Sequence, residues 1–599
     1  MYAVSQAWKD MQASQLVGEG FVEVSFAVGD PDAQNAATAS DNGHMYISDI
    51  SVITDENERQ FTRYCTLEQD LWQADGSLIL APNRAPVSGA GFVGSVLSGA
   101  DGSFAVKPTI TITLDQVYSK LLPGISITWS KTFDEWANSF SVTVNKNGAT
   151  MFAFARGNNT APLSVITHDI PAYDQVVIKI HKWSKPFHYA RIENILLGIK
   201  TTYDKGQLMA FEHERNFDPI CASAPVASIT FSLDNTSDEY DPNNDTGMSK
   251  YLMERQRIRA RYGFKLPNGQ TEWIPAGLFY LSEWNAPQNG LTASFKARDI
   301  MALMQGTYSK GVYSPGGVTL KALAEAVLND ANLPPGTSGG TVWQLDEALS
   351  SMTTTAPLPL KTHAECLQYI AQAAGMAMWH DRNGVMHIGT PGAGTDTSYK
   401  LNDFNLFSRP EIELQTPVST VRVHVYNYTV QADDTELYKG TLTINGTKEI
   451  TVSYSQTAAS ATATITGGTL VSAQYFASAC TLKITASGDV NIAVTGKLLA
   501  SQTTNHDMHL ADDGSVQEVD NPLITDDTRA EAVAQWAGAY LKARRQIKVG
   551  SWRADPRLDA LDIVPVANKF GEENVRVSRV KYSFKGAFRG DADGRVITS

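Results

Sequence analysis

The sequence predicts a mainly β, multidomain protein with smaller α+β parts. The 599 residues are enough for roughly three to five domains of about 100–200 residues each. Short apolar segments with a period of two recur along most of the chain, separated by turns rich in Gly, Pro, Asn and Asp. Only a few segments have the 3.6-residue apolar period of a helix. These three observations favour several sheets with a few short helices.

Composition excludes some classes of protein. The hydrophobic fraction of 43% and the charged fraction of 19% are those of a globular chain. A net charge of −14 argues against sequence-specific nucleic-acid binding, although it would suit a conduit through which DNA passes. No apolar run approaches the ~18 residues of a membrane span, and the start MYAVSQAWKDMQASQ lacks the pattern of a Sec signal. We expect a soluble protein that its own sequence does not export.

Residues 1–65 are predicted to form an N-terminal arm and the first strands. Residues 1–16 carry Tyr2, Trp8 and Met11 at loosely helical spacing, which predicts a short amphipathic helix or a docking arm. A strand follows at 21–26, and after a Gly- and Asn-rich loop a second strand begins at Tyr46.

Residues 66–200 are predicted to form a β-sandwich. Its strands recur at sandwich spacing, at 110–114, 125–129, 140–144, 151–154, 176–180 and 190–199. This order resembles a discoidin-type jelly roll, a fold that often binds carbohydrate but also serves as structure. Trp129, Trp136 and Trp183 are candidates for sugar stacking, yet tryptophans in sandwiches more often belong to the core, so no sugar site is assigned.

Residues 201–312 contain strands and hairpins around Asn268-Gly269 and 275–305. A loop at 234–247 holds five carboxylates: Asp234, Asp238, Glu239, Asp241 and Asp245. Its spacing does not match an EF-hand, and Asp and Asn are common turn formers, so a turn is favoured over a calcium site. The next strand carries a row of arginines, Arg257, Arg259 and Arg261, which could meet phosphate or an acidic partner; a solvated or ion-paired face is favoured.

Residues 313–400 are predicted to form a small α/β domain. One amphipathic helix covers 319–332, and a second begins with a capping box of Thr362 and Glu365 and ends at Gly375. Residues 401–520 are predicted to form an inserted β-rich domain, because apolar residues alternate over 421–425, 450–454 and 480–494.

Residues 521–599 restore a mixed pattern. Thr528 and Glu531 predict another capping box, followed by a helix with an apolar stripe. The last strand pair changes phase between Val577 and Val580, which predicts a β-bulge near Ser578.

Five short motifs of the sequence together resemble those of the tail hub proteins of bacteriophages. They are YDPNND (240–245), GLFYLSEW (277–284), FKARDIMALM (295–304), DPRLDALDIV (555–564) and GAFRG (586–590). The resemblance covers about 200–599 and implies two tail-tube-like barrels, at 201–312 and 521–599, flanking the small α/β domain. It also implies a homotrimer that closes the distal end of the tail tube and lets DNA pass along its axis.

The resemblance further implies partners and a location. The partners would be tail-tube, distal tail, and tail-fibre or receptor-binding proteins, with a tape-measure protein and a host surface glycan as further candidates. The protein would be part of the virion and would assemble in the bacterial host cytoplasm. Two alternatives stay open: a carbohydrate-binding receptor-recognition protein of the tail tip, and a hexameric distal tail adaptor.

Candidate chemistry is sparse. His506 and His509 form a His-x-x-His pair, predicted to lie in a polar loop, which lacks the glutamate and third ligand of a zinc protease. Asp555, Asp559 and Asp562 could mimic an acid pair, but turn chemistry and ion pairs with Arg553 or Arg557 explain them more simply.

The cysteines give no catalytic or metal pattern either. Cys65, Cys221, Cys366 and Cys480 are widely spaced and are expected to be free thiols, and Cys366, despite the nearby His363, is expected to pack in the core. A Walker lysine loop is absent, and no GxGxxG dinucleotide-binding site or GxSxG nucleophile elbow is predicted. The sequence therefore predicts no enzyme, no catalytic residue, no cofactor and no metal site.

Overall fold

The computed structural model describes residues 1–599 except 57–58, 60, 72–74, 77, 83–86, 88, 288–289, 335–341, 393–398 and 598–599. Strands make up 52% and helices 12% of the structure, which is divided among several sheets. This confirms the predicted fold class, mainly β with small α parts. Among the described residues the longest α-helix has 15 residues, and no helix has both the length and the apolarity that crossing a membrane requires.

The chain begins with a helix and a long strand. These elements are α1 (Gln6–Ala13), β1 (Gly20–Gly29), α2 (Pro31–Ala36) and β2 (Thr38–Asp41). Ser5 caps α1, because its side chain accepts a hydrogen bond from the main-chain N–H of Trp8. Trp8 is fully buried, and its indole N–H donates to Asp555 at 3.2 Å, so the helix is tied to the far end of the chain.

The sandwich contains the next nine strands. They are β3 (Phe92–Leu97), β4 (Thr109–Tyr118), β5 (Leu122–Thr128), β6 (Ala137–Lys146), β7 (Ala149–Arg156), β8 (Leu163–Ile170), β9 (Tyr173–Trp183), β10 (Tyr189–Ile192) and β11 (Asn194–Leu196). A five-stranded sheet, β2-β4-β9-β6-β7, packs on a three-stranded sheet, β11-β5-β8, around a core of Ile, Val, Phe and Trp. Period-two burial along β6 and β9 produces this two-layer packing.

Six strands follow the sandwich. They are β12 (Gly198–Tyr203), β13 (Leu208–Asn216), β14 (Val226–Asp234), β15 (Arg257–Lys265), β16 (Thr271–Asn285) and β17 (Thr292–Arg298). The two predicted hairpins are present, but their middle strands are one 15-residue strand, β16. Residues 288–289 of the second predicted turn lie outside the described residues. The segment after β17 is a short 3-10 helix, Ile300–Met304.

The α/β part follows these strands in the sequence. Its strands are β18 (Thr307–Tyr308), β19 (Val318–Thr319), β20 (Trp343–Leu345), β21 (Thr353–Thr354), β22 (Lys361–Thr362), β23 (Ala377–His380) and β24 (Met386–Gly389), with helices α3 (Leu320–Asp330) and α4 (His363–Ala374). The Thr362–Glu365 capping box of α4 forms as predicted, and Gly375 ends the helix with a φ of 65°.

Two very long strands dominate the next segment. Its strands are β25 (Glu411–Leu414), β26 (Val418–Ser453), β27 (Ala458–Thr466), β28 (Thr469–Tyr475), β29 (Ala479–His509) and β30 (Ser515–Val519). β26 and β29 pair along almost their whole length. Beyond Asp434 and Lys497, this pair and the β27–β28 hairpin enclose a small separate core. Near its base, Val421, Val423 and Val425 pack against the helices instead.

The chain ends with α5 (Asp527–Leu541), β31 (Arg545–Arg553), β32 (Ile563–Asn568), β33 (Gly571–Phe584) and β34 (Phe588–Val596). The register of β33 shifts between Val577 and Arg579, which confirms the predicted bulge at Ser578. The predicted capping box of α5 is wrong. Asp526 is the N-cap and accepts from the N–H of Arg529 at 2.8 Å, so Thr528 lies inside the first turn.

One 12-stranded sheet unites strands from both ends of the chain. Its order is β12-β1-β15-β16-β17-β14-β13-β33-β34-β31-β25, and β32 pairs with β33. The antiparallel pairing of β13 with β33 joins an upstream half to a downstream half. The two halves share one core, in which Tyr262 contacts Tyr582 and Phe588 at ring-centroid distances of 5.7 and 5.5 Å.

β1, one of the first strands predicted within residues 1–65, belongs to the large sheet, where it pairs with both β12 and β15. Val22, Val24 and Phe26 enter the shared core, which provides the apolar burial that fixes the strand there. The sandwich is therefore inserted between two neighbouring strands, β1 and β12.

Candidate functional site

The aspartates of the DPRLDALD segment are held by buried cations. Asp555 accepts from Arg557 at 2.7 Å and from Trp8, while Asp562 pairs with the amino group of Met1. Arg553, the other predicted partner, instead donates to main-chain oxygens of Gln12 and Ser14. Each carboxylate thus has a structural partner, so the segment joins α1 to the large sheet.

Asp559 lies at the centre of a buried charge cluster. Its carboxylate is 2.8 Å from Arg215 and 2.9 Å from Arg382, both of which are almost fully buried. Burial alone would raise the pKa of Asp559, but the two guanidinium groups outweigh it and lower that pKa to about 2. The arrangement suits a permanently ionised structural tie rather than a general acid or base.

The sequence predicts that the His506-x-x-His509 pair lies in a polar loop. In the structure the pair lies on β29 instead. Residues three apart on a strand point to opposite faces, so the two imidazoles cannot share a metal ion. Asp507, between them, forms a two-pronged ion pair with Arg422 at 2.8 Å.

The acidic loop consists of successive turns. Asp234 accepts from the N–H of Thr236 at 3.0 Å, and Asp241 accepts from the N–H of Asn243 at 2.8 Å, as expected of turn-forming aspartates. Among the residues that the structure describes, no cluster of three or more His, Cys, Asp or Glu side chains could hold a metal ion.

The cysteines are free thiols, and three of them are buried. Burial raises the pKa of the Cys366 thiol to about 12, which keeps it protonated at neutral pH. The ring nitrogens of His363 lie 2.6 Å from the main-chain oxygen of Gly306 and 2.9 Å from the Asp330 carboxylate, whereas the Cys366 thiol donates to the main-chain oxygen of Pro359. Cys366 and His363 therefore do not form a nucleophile and base pair.

The tryptophans suggested as sugar platforms belong to the sandwich interior. Trp129 and Trp183 are 0% and 2% exposed. Trp136 is partly buried, and its indole N–H donates to the main-chain oxygen of Asn159 at 2.8 Å. None of the three presents an open ring face for stacking on a sugar.

The arginine row of β15 has partners within the chain. Arg257 is buried and donates to the main-chain oxygen of Asp55, and Arg261 lies 2.8 Å from Glu23 and over the ring of Trp273. Arg257 therefore helps to attach the inserted segment to the large sheet. This outcome fits the ion-paired alternative rather than a phosphate-binding row.

A charge ladder crosses five neighbouring strands on the polar face of the large sheet. Its members are Glu411, Glu413, Lys548, Asp591, Asp593, Arg579, Lys581, Glu212 and Glu214. Arg579 pairs with Glu214 at 2.6 Å, Asp591 at 2.8 Å and Asp593 at 3.2 Å, and Lys581 pairs with Glu212 at 3.0 Å. Six carboxylates and three cations give the ladder a net charge of −3.

The last strand of this ladder leaves one edge of the sheet exposed. β25 is the terminal strand and is only four residues long. Ile412 and Leu414 on it are 42% and 67% exposed, and nearby Phe404 and Phe407 are 49% and 60% exposed. The opposite end of the sheet differs, because Ser126 of the sandwich hydrogen-bonds to Gly198 and Lys200 of β12. An open edge with adjacent apolar side chains is typical of a protein contact.

Sequence reasoning missed both the ladder and the open edge. The alternation of charged and apolar residues in β13, β33 and β34 indicates a two-faced sheet, but the pairing of strands hundreds of residues apart has no local signal.

Comparison with known proteins gives similar solved structures but no matching family model or curated protein. A tail protein from Neisseria meningitidis MC58 is 8% identical, with a TM-score of 0.39, over 66% of this chain and 93% of that one. The 43 kDa tail protein of prophage MuSo2 from Shewanella oneidensis is 10% identical, with a TM-score of 0.38, over 66% and 95%.

Another similar structure is not a tail protein. A family 32 CBM from C. perfringens NanJ, solved in complex with galactose, is 13% identical with a TM-score of 0.19 and covers 30% of this chain and 99% of that one. The similar structures thus include phage tail proteins, the class that the sequence resemblance indicates.

Proposed function

We propose that this protein is a phage tail hub, a structural trimer that closes the distal end of the tail tube. The observation that carries the proposal is the 12-stranded sheet, built from two chain-distant halves and open at one edge. Two sheet halves per chain and three chains would give a ring of six similar units. Closed rotational symmetry would cover the open β25 edge of each copy.

The part of the polar face that carries the charge ladder would line the axial channel. Each ladder cation contacts carboxylates, and the ladder has an excess of acid, so it offers DNA phosphates no unpaired cation. Such a face would let DNA pass without binding it.

The remaining parts would serve attachment. The inserted sandwich and the small β domain at 434–497 would project from the ring towards the tail-tube, distal tail, tape-measure and tail-fibre or receptor-binding proteins. The protein would reside in the virion after assembly in the host cytoplasm, and it would act without catalysis or a cofactor.

Oligomeric mass and symmetry test this proposal. Light scattering should give about 195 kDa, three times the 65.1 kDa of one chain. Particle images should show threefold symmetry around a channel. Changing Ile412 and Leu414 to lysine should yield monomers, because charge on an edge strand blocks pairing.

The matched control changes Val471 of the small β domain, which is 56% exposed, to lysine. This variant should remain trimeric. A wild-type monomer, a sixfold assembly, or a trimer that persists in the edge variant would contradict the proposal. The sixfold result would favour a distal tail adaptor.

A further inference from the structure

Two arginines lie directly opposite each other near the end of the large sheet. Arg576 on β33 and Arg595 on β34 are cross-strand partners, and both are half-buried. They line one pocket together with Trp536 and Tyr540 of α5, Leu561 and Ile597. These six residues define what we call the arginine pocket.

The arginine pair is unfavourable by itself. Like charges directly opposite on neighbouring strands destabilise a sheet. Burial lowers the pKa of Arg576, as expected for a guanidinium that is partly removed from water without a compensating acid. Arg576 donates to the main-chain oxygen of Leu561 and Arg595 donates to that of Tyr540, each at 3.3 Å.

No carboxylate in the described part of the chain forms an ion pair with either side chain. Another arginine of the same strand differs in this respect. Arg579, three residues further along β33, contacts three carboxylates. In a chain with a net charge of −14, two adjacent arginines that no acid neutralises leave room for an anion from outside.

The walls of the pocket define the rest of the ligand. The guanidinium of Arg595 lies 4.4 Å from the centroid of the Tyr540 ring, and the Trp536 ring is only partly buried. Leu561 and Ile597 add an apolar surface. A ligand with a planar apolar body would contact these walls while its anionic end reaches the arginines.

We propose that the arginine pocket binds a small aromatic carboxylate, with Arg576 and Arg595 sharing the carboxylate and the Trp536–Tyr540 side holding the ring. The two guanidinium groups donate to the carboxylate oxygens, which offsets the repulsion between the arginines. This site is independent of the hub proposal, because it needs only one folded chain.

The test uses the full-length chain and three probes: benzoate, its neutral isostere benzamide, and inorganic phosphate. Benzoate should raise the melting temperature in a saturable way, because a ligand that binds only the native state stabilises it. Benzamide should give no shift, and phosphate should bind more weakly than benzoate because it cannot use the ring contacts. Isothermal titration would give the affinities.

Three variants locate the site. R576Q and R595Q should each weaken benzoate binding by about tenfold or more, because each removes charge-assisted hydrogen bonds. R589Q is the matched control: Arg589 lies on the same strand as Arg595 but is exposed, near Phe407, and its loss should leave benzoate binding unchanged.

The unliganded variants provide a second measurement. R576Q and R595Q should melt at the same temperature as the wild type or higher, because the like-charge pair is removed. Lower melting temperatures would mean that the main-chain hydrogen bonds of the two arginines outweigh the repulsion between them, and this would overturn the proposal. Equal binding of benzoate and benzamide, phosphate binding as tight as benzoate, or benzoate binding that survives both glutamine variants would also overturn it.

Discussion

At the residue scale, buried charges in this protein hold segments of the chain together. Asp559 lies between β31 and β32, Arg215 lies on β13 and Arg382 lies in the turn after β23, so one carboxylate links three parts of the chain. The sequence indicates an Asp-rich turn at this point. It gives no sign that Arg215, more than three hundred residues upstream, is a partner.

Replacing Asp559 with asparagine should destabilise the chain by roughly 3–5 kcal/mol, because two buried guanidinium groups lose their counter-charge. Chemical denaturation would measure the change.

The pH dependence of stability follows from the lowered pKa of Asp559. Stability from Asp559 is present above its ordinary value of 3.8 and is lost as the pH falls towards about 2, where the folded carboxyl takes up a proton.

Asp512→Asn is the matched control, since Asp512 is fully exposed and should leave stability unchanged. A similar loss of unfolding free energy in both variants would count against this role. So would a decrease of stability at acid pH that is as large in Asp559→Asn as in the wild type.

At the element scale, local rules explain some helix ends and fail at others. The capping box of α4 forms as the sequence predicts, because all of its members are close in sequence. At α5 two candidate caps compete within three residues. The structure uses Asp526 because its extended backbone lets the carboxylate reach the N–H of Arg529.

Asp526→Ala should therefore cost about 1 kcal/mol of stability, the usual effect of losing an N-cap. Thr528→Ala should have no effect or a slightly favourable one, because Thr528 is exposed within the helix and alanine has the higher helix propensity. Thermal unfolding of the two variants decides between the caps. A larger loss for Thr528→Ala would restore the capping box that the sequence predicts.

At the scale of the whole molecule, the large sheet produces two faces with different roles. One face packs the shared core, and the other carries the charge ladder. The ladder forms one continuous charged surface only because β13, β33, β34, β31 and β25 are neighbours.

Changing Glu212 and Glu214 to lysine would change the net charge of the ladder from −3 to +1, since the ladder would then hold four carboxylates and five cations. We expect this variant to stay trimeric, to bind duplex DNA with a strong salt dependence, and to slow DNA passage. Fluorescence anisotropy with a DNA duplex would measure the binding.

The control changes Asp512 and Asp513 to lysine. Both residues are exposed in the β29–β30 turn, and the two substitutions give the same change in net charge. DNA binding in the control alone, or equally in both variants, would contradict a channel-lining role for the ladder.

The sequence by itself determined the fold class, the α4 cap and the Ser578 bulge, because each depends on residues that are close along the chain. Tertiary structure decided that β1 belongs to the large sheet, that His506 and His509 face apart, and that Arg576 meets Arg595. It also decided which edge stays open. The physical reason is that strand pairing and counter-charges join residues hundreds of positions apart, whereas periodicity and capping report only on neighbours.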